Sequence, residues 1–201
     1  MTIRSDVPAF VDLAPFSLDA LREEPSTIYA LSQDLRITYV NAAWTRFALA
    51  NGARWNEGEW GIGRSVMDAI PELLRPFYER LFERALEERV VVEHDYDCSS
   101  ATVARRFRMR LLPCEAGGLL VVHSLLREDP RSEPGMPPLD ALYRHLGMIA
   151  QCSHCRRVQR ANEPDHWDWV PAYVEQPQPN TSHGLCPLCA DYYYSEARLD
   201  A

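Results

Sequence analysis

Lysine is absent from this 201-residue chain: all 21 basic residues are arginine, against 29 Asp and Glu, giving a formal net charge of −8. A sequence-independent nucleic-acid binder draws its affinity from neutralised phosphates, so this balance argues against that class. No apolar run approaches the roughly 20 residues needed to cross a bilayer. The opening Met1-Thr-Ile-Arg-Ser-Asp-Val-Pro holds no apolar signal-peptide core. The expectation is therefore a cytoplasmic protein without a membrane partner. There is also no Gly-rich phosphate loop and no nucleophile elbow, and a non-catalytic role is expected.

Six cysteines are present, and four of them form two C-x-x-C pairs, Cys152-Ser-His-Cys155 and Cys186-Pro-Leu-Cys189, thirty residues apart. Each pair lets one tight turn aim two thiolates at a point about 2.3 Å from each sulfur, and two turns complete a tetrahedral shell. Structural Zn2+ is the expected cofactor, with iron open because four thiolates suit both metals. A disulfide framework needs an oxidising compartment that nothing here indicates. A redox dithiol needs only one pair at a helix start. A closed four-cysteine shell leaves no position for a metal-activated water, which again disfavours catalysis. Arg156, Arg157 and Arg160 follow the first pair as a local basic cluster, read as a solvated knuckle surface.

A proline-rich stretch over residues 128–138 divides the chain. The expected organisation is an N-terminal helical cap over 1–24, a first domain over 25–128, a linker over 129–140 and a cysteine module over 141–201. In the first domain, residues 27–31 and 36–40 read as a hairpin. Asn41 is an N-cap for a helix over 42–50, and Leu74, Phe77, Tyr78, Leu81 and Ala85 form the buried stripe of a longer helix.

Three strands follow, and two of them register from alternation alone. Val92, His94 and Tyr96 share one face and Glu93, Asp95 and Asp97 the other; Phe107, Met109 and Leu111 oppose Arg106, Arg108 and Arg110. Antiparallel pairing of Asp97 with Arg106, Asp95 with Arg108 and Glu93 with Arg110 makes an outer ladder of opposite charges. It also sets Tyr96 beside Phe107, His94 beside Met109 and Val92 beside Leu111. A one-residue slip would bury the arginines. The third strand, 118–125, is apolar enough to lie centrally.

The passage Ile37-Thr-Tyr-Val-Asn41-Ala-Ala-Trp and the segment Gly63-Arg-Ser-Val-Met-Asp-Ala-Ile-Pro71 resemble the strand-to-helix "I-x-Y-V-N-x-A" and the "G-x-S-x-x-D-x-x-P" of PAS domains. The resemblance spans residues 25–127. It implies an α+β fold, a five-stranded antiparallel sheet with helices on one face, and a sensory or protein-interaction role. It also implies an interior that can hold a ligand, of unknown identity here, for which His94, Tyr96 and Met109 are the candidate lining. His94 and Met109 raise haem ligation, but a hydrogen-bonded core histidine beside a gap-filling methionine is the reading taken. No photoreactive flavin-type cysteine segment is present, and Cys98 and Cys114 read as plain thiols.

The cysteine module, from Cys152-Ser-His-Cys155-Arg-Arg-Val to Ser182-His-Gly-Leu-Cys-Pro-Leu-Cys189, is similar to a short segment that accompanies sensor domains in bacterial signalling proteins. In it, Asp168 is placed to cap a short helix with Pro171 in its first turn. Trp167, Val170, Tyr173 and Val174 would then cover the knuckles. His183 is the candidate outer-shell residue, His154 is expected to face solvent, and His145 to lie on a connecting helix. The combined expectation is a bacterial sensory or adaptor protein acting through a protein partner. The alternatives are a regulator that contacts nucleic acid through the zinc module, or a haem- or flavin-bearing redox sensor. Phe10, Val11, Leu13, Phe16, Leu18 and Leu21 precede the first strand and need a surface to cover. Because the outer sheet face carries the charge ladder, a homodimer through residues 9–22 is expected.

Overall fold

The computed structural model describes residues 14–50, 61–132 and 134–195. Its helices and strands run α1 (Leu18–Glu23), β1 (Thr27–Leu31), β2 (Ile37–Val40), α2 (Ala42–Ala50), α3 (Arg75–Glu87), β3 (Val92–Asp97), β4 (Val103–Pro113) and β5 (Leu119–Pro130). They continue with α4 (Asp140–Tyr143), β6 (Arg144–His145), β7 (Met148–Cys152), β8 (Val158–Arg160), β9 (Glu163–Asp168), α5 (Pro171–Glu175), β10 (Thr181–Gly184) and α6 (Pro187–Tyr194). The first five strands form an antiparallel sheet in the order β2-β1-β5-β4-β3, with the apolar β5 at its centre as its composition predicts. Two compact units emerge. The first holds the described part of Met1–Ile70 with Tyr78–Asp95 and Arg108–Leu125; the second holds Pro71–Phe77, Tyr96–Phe107 and the described part of Leu126–Ala201.

In the first unit Asn41 organises the passage from β2 into α2. Its side-chain oxygen accepts from the Ile28 and Trp44 amides at 3.0 and 2.9 Å. Its amide nitrogen donates to the carbonyls of Leu21, Glu24 and Ser26 at 3.3, 3.1 and 2.9 Å. One buried side chain thus caps α2 and ties α1 to β1. The turn from β4 into β5 needs glycine at 118: its φ is +78°, and a Cβ there would collide with the Leu31 carbonyl.

The charge-ladder register is the one alternation predicts. In the first unit the Arg108 guanidinium donates to both Asp95 oxygens at 2.7 and 3.1 Å, with Glu93 at 3.5 Å. In the second unit the Cys98 amide donates to the Arg105 carbonyl at 3.1 Å and the Ser100 amide to Val103 at 2.9 Å. Tyr96 stacks on Phe107 with centroids 5.8 Å apart. The ladder is not rung by rung, however, because Arg108 takes both Asp95 and Glu93 while Arg110 donates to the Ser124 hydroxyl at 3.3 Å.

The expectation that the N-terminal apolar residues lack a surface on their own chain is corrected. Leu21 is buried with Ile28, Ala30, Tyr39, Cys114 and Leu120, and Phe16 and Leu18 pack against the same cluster. The ladder occupies only β3 and β4, whereas β1, β2 and β5 present apolar side chains on that face, and α1 covers them. Phe10, Val11 and Leu13 lie outside the described residues.

The second unit contains a second sheet, ordered β10-β7-β8-β9, with β6 also paired to β7. Tyr143, Ile149, Val158, Val170 and Tyr173 make its main core, with Met136 and Leu142 packed against it. Ala101, from the turn between β3 and β4, is buried with Trp169 and Val174. The Arg131 amide donates to the Thr102 carbonyl at 2.9 Å, and the Arg131 guanidinium stands 3.7 Å over the Trp169 ring. His145 pairs with Met148 in β6 and not in a connecting helix, because Leu146 and Gly147 take positive φ and turn the chain back on itself.

Candidate metal centre

The two cysteine pairs meet because β10 runs parallel to β7, with Gly184 opposite Cys152. The Ser153 amide donates to the Gly184 carbonyl at 2.8 Å and locks one knuckle to the other. Cys152 ends β7 and Cys155 lies in the turn into β8, closed by the Cys152 amide on the Arg157 carbonyl at 2.8 Å. Cys186 stands at the N-cap of α6 and Cys189 in its first turn, where Pro187 has no N–H to lose.

The four sulfurs all lie within 4.8 Å of one another, and Cys152, Cys186 and Cys189 are buried. Cys155 Sγ is 3.7 Å from Cys186 Sγ. A tetrahedron with 2.3 Å metal–sulfur bonds has edges of about 3.8 Å, so this pair already stands at ligand spacing. Hydrogen bonds from the Cys155 and Cys189 thiols hold the Cys152 thiol far below the ordinary range, helped by the Cys186 amide at 3.4 Å. The same contacts push Cys155 up to about 12, and Cys189 is also raised, as neighbours of a thiolate resist ionising. A coordinated metal deprotonates its thiols outright. The donor set and spacing can hold a metal ion of the soft, tetrahedral kind.

Around the sulfurs, Trp167 and Leu185 pack against the cluster, as expected of Trp167. Val170 and Tyr173 serve the main core instead, and Val174 joins Trp169 and Ala101. Asp168 caps nothing. Val170 precedes α5, and the Asp168 carboxylate accepts from Arg160 at 2.7 Å and Tyr143 at 3.0 Å. These bonds hold it below the usual carboxylate range. His183 stands exposed on β10 opposite Gln151. His154 does not face solvent: its Nδ1 is 2.8 Å from the Tyr193 hydroxyl. The arginines after the first pair are engaged within the module. Arg156 donates to the Val174 carbonyl, Arg157 to Trp167, and Arg160 to Asp168 and Glu163.

In the first unit, His94 and Met109 are buried, and His94 meets the Tyr78 ring edge-on at 5.7 Å. Tyr96, in the second unit, is half-buried against Phe107. A polar pair not singled out from sequence lies in the first unit: His123 Nε2 and the Tyr29 hydroxyl are 3.3 Å apart, with rings stacked at 5.4 Å. Burial lowers the His123 imidazole to about 4 and raises the Tyr29 phenol, aided by Tyr78. Alternation could have found His123, which shares a face with Leu119 and Val121.

With this sheet and order in hand, the comparison with known families decides the class: the PAS fold family matches residues 21–127, more than half of the chain. The chain belongs to the PAS fold family. PAS folds are typically non-catalytic sensory modules that often mediate protein–protein interaction, so a sensory signalling role follows at that level. Similar solved structures include a domain of an HTR-like protein from Haloarcula marismortui, at 14% identity over 52% of this chain and 100% of that one, TM-score 0.39. A C-terminal domain from Streptococcus mutans aligns at 16% identity over 54% and 81%, TM-score 0.39. The PAS domain of Bordetella pertussis BvgS aligns at 17% identity over 57% and 83%, TM-score 0.40. No curated protein matches the chain. Among the described residues, no helix is long and apolar enough to cross a membrane.

Proposed function

We propose that this chain is a non-catalytic sensory or adaptor component of a bacterial, cytoplasmic signalling pathway, in which a PAS domain acts through a protein partner and Cys152, Cys155, Cys186 and Cys189 hold one structural Zn2+. The observation that carries the metal reading is the convergence of four sulfurs within 4.8 Å. Zinc is taken as the ion because a closed shell of four cysteines from two C-x-x-C turns is the usual structural zinc site; in small zinc-dependent peptides such binding contributes about 10–16 kcal/mol of folding free energy. The nucleic-acid alternative loses its main support, since Arg156, Arg157 and Arg160 all bond within the module. The haem alternative is weakened by His94 and Met109 lying on adjacent strands of one sheet face, where both cannot flank an iron.

Native mass spectrometry with elemental analysis of the freshly purified chain tests this reading, with one zinc per chain as the expected result. It also reports whether the chain is a homodimer. Absence of stoichiometric zinc or iron would refute the metal assignment.

A further inference from the structure

Tyr193 is fully buried one helical turn beyond Cys189 on α6, so the two residues share a face of that helix. Its hydroxyl is 2.8 Å from Nδ1 of His154, which stands between Cys152 and Cys155 in the other knuckle. Its ring packs edge-on against Phe77 in α3, with centroids 4.9 Å apart at 82°. Both knuckles therefore converge on one side chain, and that side chain touches the first turns of α3. The next residue repeats the attachment, as the Tyr194 hydroxyl donates to the Leu73 carbonyl. A second attachment runs through Trp169, which is buried with Ala101 of the β3–β4 turn and lies beneath Arg131.

We propose that Tyr193 is a positioning residue through which metal occupancy is read by the start of α3, with Trp169 carrying the same dependence to the β3–β4 turn. This rests on the metal reading above. α6 has only eight residues, too few to hold as a helix by itself in water. Its place is set by Cys186 and Cys189, and that of His154 by Cys152 and Cys155. With the four sulfurs tied to one cation, Tyr193 is held between His154 and Phe77. With the cation gone, the β7–β10 pairing and the Ser153–Gly184 bond alone join the knuckles, and Tyr193 is held less firmly. The knuckle pair is the two-state element, and the metal biases it because it binds only the closed form. By reciprocity, a change at Phe77 must alter metal affinity by the factor with which metal alters packing at Phe77.

The test is hydrogen exchange by mass spectrometry on the full-length zinc-loaded chain, before and after stoichiometric chelation. The informative amides are Leu74, which donates to the Pro71 carbonyl at 2.8 Å, and Cys98 and Ser100 at the β3–β4 turn. Chelation should speed their exchange at least about tenfold, within the usual 5–150-fold range of such couplings, and leave the Ile28 and Asn41 amides within twofold. Tyr193→Ala should keep one zinc, since Tyr193 is no ligand, yet show fast exchange at Leu74 with the metal bound. Should that variant not retain zinc, Phe77→Ala is read by competition with a chromophoric chelator, and a zinc affinity weaker by at least about fivefold is expected.

Unchanged exchange at Leu74, Cys98 and Ser100 on chelation would overturn the inference while leaving the metal reading intact. So would a zinc-bound Tyr193→Ala with native exchange at Leu74, or a Phe77→Ala with native zinc affinity. A wild-type chain without stoichiometric metal would overturn both.

Discussion

Replacing Asn41 by alanine removes five hydrogen bonds from a side chain that is 2% exposed. The lost bond to the Trp44 amide is a helix cap, worth about 1 kcal/mol. The Ile28 amide is a deeper loss, since a buried donor left without a partner costs about 1–3 kcal/mol. The carbonyls of Leu21, Glu24 and Ser26 each keep a second lone pair, and those of Glu24 and Ser26 belong to half-buried residues, so they add little. The expected cost is about 3 kcal/mol. Asn41→Asp separates this account from simple loss of a cap, because aspartate is as good a cap as asparagine. Its second oxygen would face three carbonyl oxygens with no donor between them. At neutral pH it should therefore be at least as destabilising as alanine. A carboxyl that is protonated more readily when folded regains stability on acidification, so its deficit relative to wild type should shrink between pH 7 and 4. Urea unfolding of the zinc-loaded chain, followed by tryptophan fluorescence, measures both variants. An alanine variant within about 1 kcal/mol of wild type, or an aspartate variant as stable as wild type at pH 7, would refute the assigned role.

The His123 imidazole, lowered to about 4 by burial, is neutral in the folded state at pH 7 while the unfolded chain protonates near 6.5. Stability is thus full above pH 6.5 and lost as pH falls toward 4. The expected loss is at most about 2 kcal/mol between pH 7 and 5, and His123→Phe should flatten that decline in thermal unfolding. Arg108 and Asp95 form a half-exposed bidentate pair, so a double-mutant cycle should give only a small favourable coupling, and a value near zero would show the ladder to be decorative. Asp168→Asn leaves Arg160 beside a neutral amide and should cost about 1–3 kcal/mol in the second unit. Because the folded carboxyl titrates low, stability tied to its charge is present above about pH 4 and lost as pH falls further, so the variant should lose less on acidification in that range. Exchange rates of the Val158 and Tyr173 amides would report it.

What could be read from sequence was local or periodic. The β3–β4 register followed from two runs whose charges alternate in opposite sign, and only one pairing leaves the arginines outside. Asn41 announced itself as a polar residue between a strand and an apolar helical run. The cysteine pairs carried their own spacing. What was missed depended on partners far along the chain. Asp168 looks like a cap because proline follows it at 171, yet Arg160 and Tyr143 claim its carboxylate first. His154 looks exposed inside a tight knuckle until Tyr193 arrives from α6. The resting place of α1 was misjudged because the charge ladder was extended to the whole outer face, when it occupies two strands out of five.

The charge of the centre bears on what this protein can meet. With the proposed divalent cation bound, four thiolates would carry a net charge of −2, which would make a chain with formal charge −8 more acidic still. The Cys186 amide points at Cys152 Sγ, and Arg156 and Arg157 are held beside the knuckles by backbone carbonyls of the same unit. Guanidinium groups tied to backbone carbonyls in this way are not presented together to a phosphate backbone, whose affinity scales with the number of cations offered to it. A partner that tolerates an acidic surface, and reads shape or apolar contact on it, fits the electrostatics better than a polyanion does. Losing such a metal would act on packing, because the module would lose the metal's tie between its two knuckles.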